Sequence, residues 1–171
     1  MKLLHPFMFA VAALSSGLGL GLAAHAGDSD RPSSPIYGVT VPDGYRQWEL
    51  IAPALEAEPL DELRVVLGNP VAVEAYREGT LPFPDGAVLA KLAWKRVPSP
   101  EFEPASVPGA ATTVQFMVKD SKKYAASGGW GFGRFINGQP ADEAQHQTCL
   151  ACHQSLVKNH DLVFTRRASS E

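Results

Sequence analysis

The chain has 171 residues, with 15 Lys and Arg against 18 Asp and Glu and a formal net charge of −3. An acidic balance of this kind does not suit a nucleic-acid partner, because phosphate binding needs clustered surface cations. The two cysteines could pair as a disulfide in an oxidising compartment, but a two-residue spacer followed directly by His points elsewhere.

Met1-Lys2-Leu3-Leu4-His5 is a short basic start, residues 6–23 are apolar and almost uncharged, and Ala24-His25-Ala26 has the small-x-small pattern of a signal peptidase site. Residues 1–26 therefore read as a secretory signal. A membrane anchor is the alternative, since the stretch is close to the roughly 18 residues needed to span a bilayer. Gly17, Gly19 and Gly21 and the cleavage pattern favour removal, and no later segment is long and apolar enough to cross. Cleavage removes Lys2 and takes the formal charge from −3 to −4. It leaves about 145 residues, enough for one domain with a single core. The expected location is the periplasm, with no membrane attachment after cleavage.

Residues 27–40, rich in Ser, Pro, Asp and Gly, read as a flexible leader, and residues 41–168 as the folded domain. Tyr45, Trp48 and Ile51, three apart, predict a short amphipathic helix ended by Pro53, with Trp48 as a core anchor. Residues 63–67 form a β-branched run and a predicted strand. Asn69-Pro70 marks a turn, and Pro70 opens a helix stopped by Gly79. Phe83-Pro84-Asp85-Gly86 is turn chemistry. It launches residues 87–96, where Val88, Ala90, Leu92 and Trp94 alternate with Leu89, Lys91, Ala93 and Lys95 as a strand requires.

A Pro-rich connection, residues 98–108, leads to a second alternating run at residues 113–119, predicted to pair antiparallel with the first. In residues 128–135 aromatic and glycine positions alternate, which predicts a tight turn feeding a strand whose backbone is approached closely by something flat. A planar prosthetic group is one candidate for that object, and a glycine-rich hairpin without a ligand is the other reading. The fold class expected from these elements is α+β, a predominantly antiparallel sheet with short helices.

Cys149-Leu150-Ala151-Cys152-His153 is a CxxCH motif. Covalent attachment of haem c needs two thiols placed to add across the ring's two vinyl groups and an imidazole directly after the second thiol to meet the iron. Cys149 and Cys152 are thus the candidate tethers and His153 the candidate iron ligand, on a C-terminal helix that Thr148 could cap. A thioredoxin-like redox pair is a rival, but that fold places the motif early, after a strand. A zinc site is another and would need His146 and His160 as further ligands. A simple electron carrier fills the sixth iron position with Met or His, and beyond residue 26 only Met117, His146 and His160 are available besides the proximal His153. Met117 lies within an alternating strand, and the two histidines flank the attachment helix. The preferred reading is an open sixth site.

Most of the folded chain, residues 41–165, resembles the cytochrome P-460 family and its relative cytochrome c'-beta. The likeness is carried by Gly44-Tyr45-Arg46-Gln47-Trp48, Asn69-Pro70 with Glu74-Ala75-Tyr76, Phe83-Pro84-Asp85-Gly86-Ala87-Val88, Met117-Val118-Lys119-Asp120, the glycine and aromatic run at 128–135, CxxCH and Asp161-Leu162-Val163-Phe164-Thr165. It implies an antiparallel β fold, a homodimer, one five-coordinate haem per chain and a redox partner protein. In the P-460 members a lysine is cross-linked to the porphyrin and hydroxylamine is oxidised. In c'-beta members the cross-link is missing and a phenylalanine-capped pocket binds nitric oxide.

Carried onto this chain, the resemblance makes Lys91 the best match for the cross-linking lysine, with Lys95 a weaker candidate nearer the strand end. Arg64 matches approximately a distal arginine that donates to an iron-bound ligand. Catalytic members place a distal carboxylate where the nearest match here is Gln115, and glutamine can hydrogen-bond a ligand but cannot act as a general base. Phe83, Phe116 and Phe132 are candidates for an apolar distal wall, with ordinary core packing as the alternative for each.

Overall fold

The computed structural model describes residues 31–169, so the predicted signal segment lies outside the described residues. Six strands, β1 (Glu49–Glu56), β2 (Glu62–Gly68), β3 (Val88–Pro98), β4 (Ser106–Lys119), β5 (Trp130–Ile136) and β6 (Gln139–Pro140), form one antiparallel sheet in sequential order. Helix α1 (Pro70–Glu78) lies between β2 and β3, and α2 (Glu143–Val157) follows the sheet. This is the α+β architecture expected from the period-2 runs.

Alternation along the strands sends side chains to two separate cores. Leu67, Ala90, Leu92, Phe116 and Phe135 pack on one face with Val39 and Tyr124. Val66, Leu89 and Phe132 belong to the other core, with Ile51, Phe83, Trp130, Leu162, Val163 and the buried side of α1. Asn69 joins α1 to the sheet. Its side chain accepts from Ala72 N at 3.0 Å as the helix cap, accepts from Val88 N at 3.0 Å and donates to Gly86 O at 2.8 Å. Pro70 needs no backbone donor at the first helical position, and Gly79 closes the helix with φ 68°.

Five expectations are corrected, the first being the Pro-rich connection, which shortens to residues 99–105 because β3 and β4 pair as far as Pro98 and Ser106 with Pro108 opposite Arg96. Only Tyr45–Gln47 is helical, as one 3₁₀ turn, and β1 then runs straight through Pro53. β1 is an edge strand, where a missing N–H need not break the ladder. A register shift between Leu50 and Ala52 leaves Ile51 out of the pairing and buried in the core with α1. Trp48 packs, partly buried, against the face that holds Phe116.

The stretch predicted as flexible leader is built into the domain over residues 33–40. Ser33 bridges Thr40, Ser34 Oγ donates to Phe132 O at 2.8 Å, and Val39 is 3% exposed. Tyr37, edge-on to Phe132 at 5.2 Å, and Val39 supply the apolar contacts that the Ser, Pro and Gly content masks.

Helix α2 begins at Asp142, which accepts from Gln145 N at 2.8 Å; Thr148 lies within the helix and bonds back to Gln145 O at 2.8 Å. Finally, the flat object against the glycines of β5 is a tyrosine of the chain itself. A Cβ on Gly131 would stand 2.3 Å from Tyr124 Cζ, and one on Gly133 would meet Val39 and Phe135 at 2.9 Å.

Tyr124 is 6% exposed and has little room to retreat. Gly131→Ala is therefore expected to destabilise the domain by about 1–3 kcal/mol in urea unfolding. An unchanged midpoint would show that the tyrosine yields freely.

Candidate haem site

Cys149, Cys152 and His153 sit on α2 at spacings of three and four residues, which brings them to one helix side. All three line a cavity of about 630 Å³ between α2, the segment 163–166 and the β1 to β5 sheet face, within the range of roughly 300–1,000 Å³ usual for ligand sites. Both thiols are free, Cys152 exposed and Cys149 half-buried. Burial pushes the Cys149 thiol up, against the pull of Arg134.

His153 Nδ1 lies 2.6 Å from Leu162 O. A carbonyl only accepts, so Nδ1 carries the proton and Nε2 keeps a free lone pair. Phe132 and Phe164 pack on the ring at centroid distances of 4.9 and 4.8 Å. Burial pulls the imidazole below its ordinary pKa, partly opposed by the Leu162 bond.

The sheet supplies the cavity's other wall in ordered rows. Leu89, Met117 and Phe132 are paired across β3, β4 and β5. The next row is Ala52, Val66, Lys91, Gln115 and Arg134, and the row beyond is Ala54, Arg64, Ala93 and Thr113. Glu56 and Glu62 face each other one step further. Because Phe132 touches His153, Met117 lies in the row nearest the imidazole, and Arg64 lies two rows away.

Lys91 and Gln115 are thus direct cross-strand partners, and Arg64 lines the same cavity. Lys91 Nζ is pushed down to about 8, first by burial and then by the Arg64 and Arg134 guanidiniums, with Glu62 and Cys149 opposing. Gln115 Nε2 donates to Thr113 Oγ1 at 3.0 Å. Arg64 pairs with Glu56 and stands 4.0 Å from Glu62. Burial, then Arg134, lowers its pKa.

Other candidates are directed elsewhere. Lys95 donates to Leu60 O at the exposed strand end. Phe83 packs between Tyr76 and Trp130, and the Phe116 ring between Tyr45 and Phe135 on the opposite sheet face. Phe132 lies against the imidazole itself, so none of the three rings sits in the Arg64 row. His146 and His160, read from the sequence as flanking the attachment helix, are both buried and engaged, and His146 lies inside α2 while His160 follows it. His146 Nε2 accepts from Arg134 N at 3.0 Å while Nδ1 donates to Asp142 O at 2.8 Å. His160 Nδ1 donates to Val163 O at 2.6 Å. A zinc site built on them finds no support, since no group of three or more His, Cys, Asp or Glu among the described residues could hold a metal ion.

On the sheet wall of the cavity three polar residues escaped the sequence reading: Glu56, Glu62 and Arg134. Glu62 is 5% exposed and lies two residues from Arg64, so alternation alone would have placed both on one face. Arg134 emerges from its pairing with Gln115, which no local pattern reveals.

The residues fit haem. Two thiols and an imidazole share one helix side, Leu89, Met117, Phe132 and Val163 give apolar walls, and the buried Nε atoms of Arg64 and Arg134 have no partner among the described residues and suit carboxylate oxygens. When unfolded, Lys91 titrates near its ordinary 10.5. Between about 8 and 10.5 the unfolded chain therefore holds the extra proton, and stability rises with pH through that window. Urea unfolding against pH should show this rise in the haem-free wild type, where the Lys91 amine is free to titrate. Lys91→Met in the same haem-free state should lose a slope of about one proton; matching slopes would mean that Lys91 is solvated.

Comparison with known proteins returns the family Cytochrome P460, whose model matches residues 42–165. No curated protein matches the chain. With most of the chain covered by that one family model and a cavity whose residues suit the ring, the protein belongs to the cytochrome P460 family and is a haem-binding cytochrome.

Proposed function

We propose that this protein is an exported mono-haem c-type cytochrome whose open iron face acts on a small nitrogen species, with hydroxylamine oxidation the best-supported reaction. The observation that carries this reading is the order of the cavity rows. The Leu89, Met117 and Phe132 row lies on the His153 side, and a polar group of Arg64, Glu56 and Glu62 lies at the far end.

Cys149 and Cys152 would hold the ring through thioether bonds, and His153 Nε2, with its lone pair free, would ligate the iron. Bound haem supplies a redox-active iron that can accept electrons from the substrate. Arg64 orients the ligand by donating to it, and Glu62 accepts the protons that oxidation releases, the role for which Gln115 is unsuited. Lys91, in the middle row with its pKa lowered to about 8, releases its proton more readily than a solvated lysine and stands where the resemblance places the porphyrin-linked lysine. Electrons leave to a redox partner protein.

Two other readings are weaker on this arrangement. A nitric oxide binder of the c'-beta kind has an aromatic cap, whereas the Arg64 row here holds Ala54, Ala93 and Thr113. An electron carrier with Met117 as sixth ligand would need the thioether on the side opposite His153, yet Met117 shares the row of Phe132. The signal pattern of residues 1–26 supports a periplasmic location, and no helix of the described residues is long and apolar enough to cross a membrane. The resemblance supports a homodimer.

A tryptic peptide containing Lys91 is expected to stay attached to porphyrin after denaturation, and mass spectrometry reads this directly; a free Lys91 peptide favours the nitric oxide binder. Glu62→Gln is expected to lower hydroxylamine turnover by about 10²–10⁴-fold while the ferrous nitric oxide spectrum stays unchanged. Full turnover in that variant would remove Glu62 from the mechanism.

A further inference from the structure

Two of the motifs that carry the family resemblance, Met117-Val118-Lys119-Asp120 and Asp161-Leu162-Val163-Phe164-Thr165, have no part in the mechanism above beyond lining the cavity. The fold joins them. Lys119, at the end of β4, is 5% exposed, and its Nζ lies 2.8 and 2.9 Å from the two carboxylate oxygens of Asp161. Nζ also donates to Gly128 O at 3.3 Å and stands 4.9 Å from the Trp130 ring centroid. Asp161 Oδ2 accepts from Phe83 N at 2.8 Å. Its carboxylate is therefore anchored from two separate parts of the chain.

What the anchor holds is an unfavourable backbone. Asp161 and Leu162 are consecutive non-glycine residues with φ 47° and 63°, a left-handed conformation that L-residues avoid and that persists only where the surroundings over-determine it. The turn has a definite product. It reverses the chain after α2 and presents Leu162 O to His153 Nδ1 at 2.6 Å, while Leu162 N donates back to Val157 O at 3.1 Å. No side chain in the cavity makes that bond to His153. It depends on the carbonyl direction, which the turn sets.

We propose that the Lys119–Asp161 ion pair is a positioning device for His153: it locks the strained Asp161–Leu162 turn so that the Leu162 carbonyl fixes the tautomer, the orientation and the donor strength of the imidazole. The proposal rests on His153 being the axial ligand. A short bond from Nδ1–H to a carbonyl makes Nε2 a stronger donor, which favours ferric iron and lowers the reduction potential. Lys119 and Asp161 touch neither ring nor substrate and act through Leu162 and His153.

The test uses the haem-loaded protein and two readouts that a merely structural pair would not move. These are the iron–histidine stretching frequency of the ferrous protein by resonance Raman and the reduction potential by spectroelectrochemistry. In Asp161→Asn, which keeps an acceptor for Phe83 N, and in Lys119→Met, the stretch is expected to fall and the potential to rise. The double variant should go no further than either single one, and Lys119→Arg, which keeps the pair, should stay near wild type. Wild-type stretch and potential in the variants, even with a lowered melting temperature, would overturn the proposal. If Asp161→Asn does not fold, Lys119→Met and Lys119→Arg decide it by the same two readouts. His153→Gly separates the underlying reading: an iron–histidine stretch that survives there would show that another residue ligates the iron, whereas its loss leaves the Asp161 result to stand or fall alone.

Discussion

Antiparallel partners present their side chains to the same face of a sheet, so the register setting Val66 against Lys91, Lys91 against Gln115 and Gln115 against Arg134 forces four strands to contribute to one line. A slip of one residue in any of them would turn its cavity residues into the opposite core. That core is apolar and filled, with Phe116 between Tyr45 and Phe135 and with Gly131 pressed on Tyr124. It could not accept Lys91 or Arg134 without stranding a charge. The packed face therefore protects the geometry of the cavity face, although none of its side chains does chemistry.

Concentrating Arg64, Lys91 and Arg134 in one half-closed space is unfavourable by itself, since desolvation and mutual repulsion both disfavour charge. The chain relieves the strain in different ways. Glu56 and Glu62 compensate Arg64, and Lys91 moves toward its neutral form. The guanidinium Nε atoms of Arg64 and Arg134 are left without partners among the described residues. Groups held in this way are already desolvated and oriented, so a bound ligand need not reorganise them.

The helix side of the cavity follows a different logic. Its functional atoms come from a five-residue motif, but their aim is set by backbone that follows the helix. The turn at Asp161 and Leu162 sits between β4 and α2 and ties the end of a strand to the imidazole. Buried ion pairs contribute little to stability on average but can select one conformation among several, and Lys119 with Asp161 fits that use.

Chemistry confined to a few adjacent residues was legible in the sequence by itself: the CxxCH spacing that makes Cys149, Cys152 and His153 candidates to hold a haem, the capped helix from Pro70 to Gly79, and the strand pairing of residues 87–96 with 113–119. These depend on motif spacing, short-range periodicity and turn chemistry, whereas Lys91 and Arg64 became candidates through resemblance. Tertiary structure alone decided that Tyr45, Trp48 and Ile51 belong to an edge strand and its approach, because only an edge tolerates Pro53. It also decided that residues 33–40 fold, because Tyr37 and Val39 find partners on β5 and the residues behind it. The same holds for the aromatic and glycine run, whose flat neighbour is Tyr124. Glu62, Arg134 and the Lys119–Asp161 pair enter the site through contacts between residues far apart in the chain, and separation along the sequence carries no sign of such contacts until the strands are in register.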